Sequence, residues 1–173
     1  MSKVGFNGGS TLFNLGCAQA VAAFFSLIRA YTKPFPDRDW SLVTDRLYRR
    51  YVRQEDVALT RELLIEVSEL FSKINSTELH SFFDVDALAC GGLDLEASTL
   101  DKTFARYFEA AFECMHSAEV NFAKFSLDAV NPYSYEPLLI IRSQLPAFMI
   151  DKQIPLSAYD ELDGDPFWLK SNR

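Results

Sequence analysis

LDKTFARYFEAAFECMHSAEVNFAKF, residues 100–125, decides how this chain must fold. Leu100, Phe104, Tyr107, Phe108, Ala111, Phe112, Met115, Ala118, Phe122 and Phe125 follow one another at steps of three, four or one. At 100° per residue they make one continuous apolar stripe. Lys102, Arg106, Glu109, Glu113, His116 and Lys124 fall on the opposite side, and Val120 is the one misfit. Ser98 and Asp101 stand in the S/T-x-x-D/E relation that opens a helix. A helix of about 26 residues reaches roughly 39 Å at 1.5 Å per residue. That crosses a whole small domain, so other elements have to cover the aromatic stripe.

Two more helices are legible nearby. Glu55–Ile74 carries Leu63, Leu64, Val67, Leu70, Phe71 and Ile74 on one face and Glu62, Glu66 and Glu69 on the other. Glu55 and Asp56 suit the positive end of that helix. Leu15–Ile28 is an uncharged apolar run, too short to span a bilayer. It reads as a buried core helix over Leu15–Tyr31, closed before Pro34 because residues ahead of proline avoid the helical region. Trp40–Tyr51 steps both as a helix and as a strand, and the helical stepping is preferred. Met1–Asn14, with Gly5, Gly8 and Gly9, reads as irregular. Leu138–Ile141 and Ala147–Ile150 are short apolar runs, either strands or buried turns. The expected fold is mainly α: a single globular domain over residues 1–173, a helical bundle around a long central helix, with room for a small β element. An α+β arrangement is the runner-up.

The 173 residues carry a net charge of −7, unevenly placed. Residues 1–53 hold eight Lys/Arg against three Asp, a balance of +5, and residues 54–173 hold nine Lys/Arg against twenty-one Asp/Glu, a balance of −12. An acidic majority argues against direct binding of nucleic acid and suits a basic protein partner. The basic cluster Arg46, Arg49, Arg50 and Arg53 reads as a solvated face paired with acidic neighbours rather than an anion site. Cys17, Cys90 and Cys114 are odd in number and widely spaced, which suggests neither a disulfide framework nor a zinc site. Cys114 lies at the edge of the long apolar stripe and reads as a small core residue. Free thiols fit a reducing cytosol, so the expected location is cytoplasmic, with no membrane segment.

Little here carries chemistry. Gly8-Gly9-Ser10 lacks the spacing and lysine of a phosphate loop, and Asp84-x-Asp86 lacks the calcium-loop ladder. His80 and His116 are far apart, with no strand-turn-helix nucleophile signature around them. Asn75-Ser76-Thr77 matches a glycosylation acceptor that a cytosolic chain would not use. No catalytic residue, metal or cofactor is expected. The segment His80–Glu96, around Gly91-Gly92, is the best candidate for a functional surface loop.

The C-terminal quarter has a familiar cast. Pro146-Ala147-Phe148-Met149-Ile150-Asp151-Lys152, then Pro155–Asp160, then Asp163-Gly164-Asp165-Pro166-Phe167-Trp168-Leu169, resembles bacterial immunity proteins of contact-dependent growth inhibition systems. Trp40–Glu55, with Asp45-Arg46-Leu47-Tyr48-Arg49-Arg50-Tyr51, shares the likeness. The match covers about a third of the chain, in short structural phrases. The resemblance implies a cytoplasmic antitoxin, not an enzyme. It would bind a cognate toxin domain delivered by a neighbouring cell, commonly a nuclease, and cover its active site. It transfers no catalytic or interface residues. From their clustering in Gly-containing loops, Asp84, Asp86, Asp94, Glu96, Asp160, Glu161, Asp163 and Asp165 are the candidate toxin-facing acidic surface. Two other readings stand beside this one: an enzyme whose catalytic groups come from distant positions, and a helical subunit of a stable complex.

Overall fold

Ala18–Thr32 forms α1, whose Ala20, Val21, Ala23, Phe24, Phe25, Leu27 and Ile28 are all buried. A helix that is apolar nearly all round has no face to offer water, so the remaining elements must enclose it. The computed structural model describes residues 3–8, 12–49, 51–52, 54–126 and 139–143. Within them the fold is mainly α with a small β element.

After α1 the chain turns through Lys33–Asp39, where Phe35 N–H donates to the Thr32 carbonyl and Trp40 Nε1 to the Phe35 carbonyl. A wide, π-helical turn, Leu42–Arg46, runs into the short α2, Leu47–Arg49. The helical stepping of this stretch therefore prevails, while its last residue enters a strand. Next comes α3, Val57–Phe71, with Val57, Thr60, Leu63, Leu64, Val67 and Phe71 buried. The expected helix over 55–74 is shorter at both ends, and residues 54–56 form a 3₁₀ turn before it. Leu79–Phe82 is α4.

The long stripe divides into α5, Leu100–Thr103, and α6, Ala105–Ser126. The break is at Phe104, whose φ of −100° and ψ of 16° leave the helical region. Thr99, rather than Ser98, stands at the N-cap, because the Ser98 carbonyl accepts a hydrogen bond from Ser76 N–H instead. The periodicity otherwise holds. Leu100, Phe104, Tyr107, Phe108, Ala111, Met115 and Ala118 are buried, and Lys102, Arg106, Glu109, Glu113 and His116 are exposed. Val120, the misfit, is 52% exposed.

The helices meet through rings. Phe24 of α1 lies 5.1–5.3 Å from Phe25, Phe104, Tyr107 and Phe108, and 6.2 Å from Phe71 of α3. Phe25 stacks on Tyr48 at 4.8 Å, and the Arg29 guanidinium covers the other partner in that stack, 5.0 Å from the Tyr48 centroid. The organising element is thus α1. The long helix brings Phe104, Tyr107 and Phe108 into this cluster and keeps its charged face to solvent.

The N-terminal segment corrects a second expectation. Lys3–Asn7 is β1 and Leu12–Cys17 is β2, an antiparallel pair rather than irregular chain. Tyr51–Val52 is β3 and Leu139–Ser143 is β4, and the four strands lie in the order β2-β1-β4-β3. The apolar run near 138–141 is therefore a strand, and the alternatives left open for it close in favour of the sheet. Strand β4 pairs antiparallel with β1, Phe6 opposite Ile141, and with β3, Tyr51 opposite Ile140. Gly8, just after β1, lies so near α6 that an added Cβ would sit 2.7 Å from the Cys114 carbonyl oxygen. Leu15 is the extra residue of a β-bulge: Val4 pairs with Gly16 and Gly5 with Asn14, skipping it. The helix expected from Leu15 begins only at Ala18, because Leu15–Cys17 belong to this strand.

Candidate partner-binding surface

Residues 76–98 leave the core as one closed excursion between α3 and α5. Its mouth is an isolated antiparallel bridge, Asn75 opposite Thr99. Ser76 N–H donates to the Ser98 carbonyl, Leu100 N–H to the Ile74 carbonyl, and the Ser76 hydroxyl to the Ala97 carbonyl. Asn75 Oδ1 accepts from Thr77 N–H at 2.9 Å, which caps the 3₁₀ turn Ser76–Glu78. The segment expected as a loop is mostly short helices: α4 continues that turn, and a second 3₁₀ helix covers Val85–Gly91.

The acidic residues of the excursion occupy its turns. Asp84 is the N-cap of the Val85–Gly91 helix, with Oδ1 accepting from Asp86 N–H at 3.2 Å. Asp94 Oδ1 accepts from Glu96 N–H at 3.1 Å, and Asp94 N–H donates to the Thr103 carbonyl. Asp84, Asp86, Asp94 and Glu96 are all exposed. Short carboxylates form such turns because their oxygen reaches a backbone N–H two residues on. Asp160, Glu161, Asp163 and Asp165 lie outside the described residues, as do Arg50, Arg53 and the 146–169 phrases of the resemblance.

A tight junction ties the excursion to the sheet. Cys17 and Cys90 form a disulfide, with Cα atoms 5.6 Å apart across a sequence separation of 73. This overturns the reading of those two cysteines as free thiols, and only Cys114 is free and buried as expected. Burial pushes the Cys114 thiol well above its ordinary range. Gly16, before Cys17, has φ +129°, and a Cβ there would meet the Cys90 carbonyl oxygen at 3.0 Å. Gly91, after Cys90, is closer still: an added Cβ would fall 2.2 Å from the Ala20 Cβ. Gly92 is left-handed, φ +62°, and ends the 3₁₀ helix as its C-cap.

Arg106 and Tyr107 of α6 complete the junction. Arg106 Nη2 donates to the Leu15 carbonyl and, at 2.7 Å, to the Gly91 carbonyl. Leu15 is the bulged residue, so the arginine satisfies an oxygen that the strand ladder leaves over. The Tyr107 hydroxyl donates to the same Gly91 carbonyl at 3.2 Å. Burial raises the Tyr107 phenol to about 12, against a smaller lowering by the Arg106 charge. Sequence reasoning placed Arg106 on a solvent face and did not foresee this role. A signal was present in Gly16-Cys17 and Cys90-Gly91-Gly92, because glycine beside cysteine on both partners marks close backbone approach. Spacing alone could not pair them.

The remaining candidates sit apart from the junction. His80 and His116 are both exposed. Arg49 Nε is 3.7 Å from Asp45 Oδ1, the acidic pairing expected for part of the basic cluster. Among the described residues, no group of three or more His, Cys, Asp or Glu is placed to hold a metal ion, and no helix is long and apolar enough to cross a membrane. No family model matches this chain. No curated protein and no solved structure matches it either.

Proposed function

We propose that this chain is an antitoxin of the immunity-protein kind, acting in the cytoplasm by binding a cognate protein toxin domain and covering its active site. The observation that carries the reading is the exposure of Asp84, Asp86, Asp94 and Glu96 on an excursion pinned at its mouth and again at Gly91. Carboxylates set in short turns on a fastened segment offer a fixed negative field. Such a field steers a basic partner, as a nuclease domain would be, and fixes its register. Phe82, 48% exposed and two residues before Asp84, supplies an aromatic anchor beside that field. The likeness of Trp40–Glu55 and of residues 146–169 to immunity proteins points the same way.

The test is co-expression with the protein encoded by the gene next to its own, followed by binding of the purified pair at several salt concentrations. Growth should be protected. Reversing the charges of Asp84, Asp86 and Asp94 to Lys should weaken association roughly 10–100-fold at low salt and flatten its salt dependence. Unchanged affinity and salt response would remove this surface from the interface, and absence of both protection and binding would sink the antitoxin reading.

A further inference from the structure

We propose that the Cys17–Cys90 disulfide is a redox latch on the acidic excursion. Closed, it holds residues 84–97 against the bulged strand β2; opened by a dithiol reductant, it frees them while the ring cluster around Phe24 stays folded. The role of the latch in partner binding rests on the antitoxin reading, but the latch itself does not.

Three observations carry this. The bond joins β2, at its junction with α1, to the excursion at one point, and the two sulfurs' residues differ in access: Cys90 is exposed and Cys17 is 3% exposed. Inside the segment 84–97 only Leu88 and Gly91 are buried, with Val85 and Leu93 partly buried against the core, so four residues supply the apolar packing that holds it down. Its non-covalent ties to α6 converge on the single Gly91 carbonyl, through Arg106 and Tyr107. Meanwhile Phe24, Phe71, Phe104, Tyr107 and Phe108 pack on one another without any ring from residues 84–97, Phe82 ahead of that segment keeps its contact with Tyr31, and the Asn75–Thr99 bridge closes the mouth. Opening at Cys90 therefore stops at that bridge.

The chemistry is thiol–disulfide exchange. A thiolate of the reductant bonds to the sulfur of Cys90, the more exposed of the two residues, the S–S bond breaks, and Cys17 leaves with the electron pair and takes a proton from water. The second thiolate of the reductant then bonds to its own first sulfur and expels Cys90 as a thiolate, which is protonated in turn. The dithiol is oxidised to a disulfide, and two electrons and two protons end on Cys17 and Cys90.

Hydrogen exchange of the full chain, with and without a dithiol, tests this without any partner. Exchange in residues 84–97 should rise at least roughly tenfold on reduction, while amides of α3 and α6 keep their protection. The double variant Cys17→Ala/Cys90→Ala should match the reduced protein and ignore the reductant. In denaturant, the chain prepared under air should show one titratable thiol, Cys114, and three after reduction. Unchanged exchange on reduction, loss of protection throughout the chain, or three thiols in the oxidised preparation would each overturn the latch. A toxin that binds neither form would count against the antitoxin reading alone.

Discussion

Gly91 has almost no room for a side chain. Its neighbours are the Ala20 Cβ and, 3.0 Å from where a Cβ would be, the Tyr107 hydroxyl. Both belong to helices packed in the core, and neither is the loose end of a flexible chain. Gly91→Ala should therefore force the 3₁₀ helix away from α1 and weaken the hydrogen bonds that Arg106 and Tyr107 make to its carbonyl. The expected cost is about 1–3 kcal/mol, in the range for overpacked sites. Urea unfolding of the variant beside the parent measures it; a midpoint within error of the parent would show that the junction yields freely. In the sequence Gly91-Gly92 read only as a loop marker. The separate reasons for the two glycines, close approach at one and a left-handed backbone at the other, lie in contacts made with residues 20 and 106.

At the scale of elements, the controlling piece is α1. Its Phe24 touches rings from α3, α5–α6 and α1 itself, so its truncation leaves a cavity that no single helix can collapse into. Phe24→Ala should cost about 3–5 kcal/mol, and Val120→Ala, on the exposed side of α6, should stay within about 0.5 kcal/mol of the parent. Denaturant midpoints of the two variants check this directly; equal losses would place the structural centre on α6. The apolar run 15–28 announced a buried helix in the sequence, and the amphipathic stripes of α3 and α6 announced half-buried ones. The longer helix keeps a polar face to solvent, and α1 is enclosed on nearly every side.

For the whole molecule, stability should fall at high pH for a stated reason. The Tyr107 phenol titrates at about 12 in the fold against an ordinary 10 in the unfolded chain. Because the folded value is the higher one, its contribution is complete below pH 10 and is lost as pH rises through about 12. A shift of that size corresponds to on the order of 2–3 kcal/mol. The buried Cys114 thiol, also raised, adds a loss of the same sign. Denaturant midpoints should therefore hold steady to about pH 8, where the Cys114 thiol begins to titrate in the unfolded chain, and then decline, more steeply above about pH 9 as the Tyr107 phenol follows. Tyr107→Phe should make the decline shallower. An identical decline in that variant would mean that the phenol is not the responsible group.

Sequence by itself determined the helices and their outward faces. The 3.6-residue period is local information, and it marked most of the residues of 57–71 and 100–118 that meet the core, the end of α1 ahead of Pro34, and the burial of Cys114; it missed Val57, Thr60, Thr103 and Ala110. It also marked the exposed carboxylates at 84, 86, 94 and 96. The tertiary structure alone decided the sheet and the disulfide. Strand β1 takes β4 as a neighbour from residues 139–143, and Cys17 takes Cys90 across a separation of 73. Such partners are chosen by how packed elements bring distant backbone together, and no pattern within one stretch of chain records that choice.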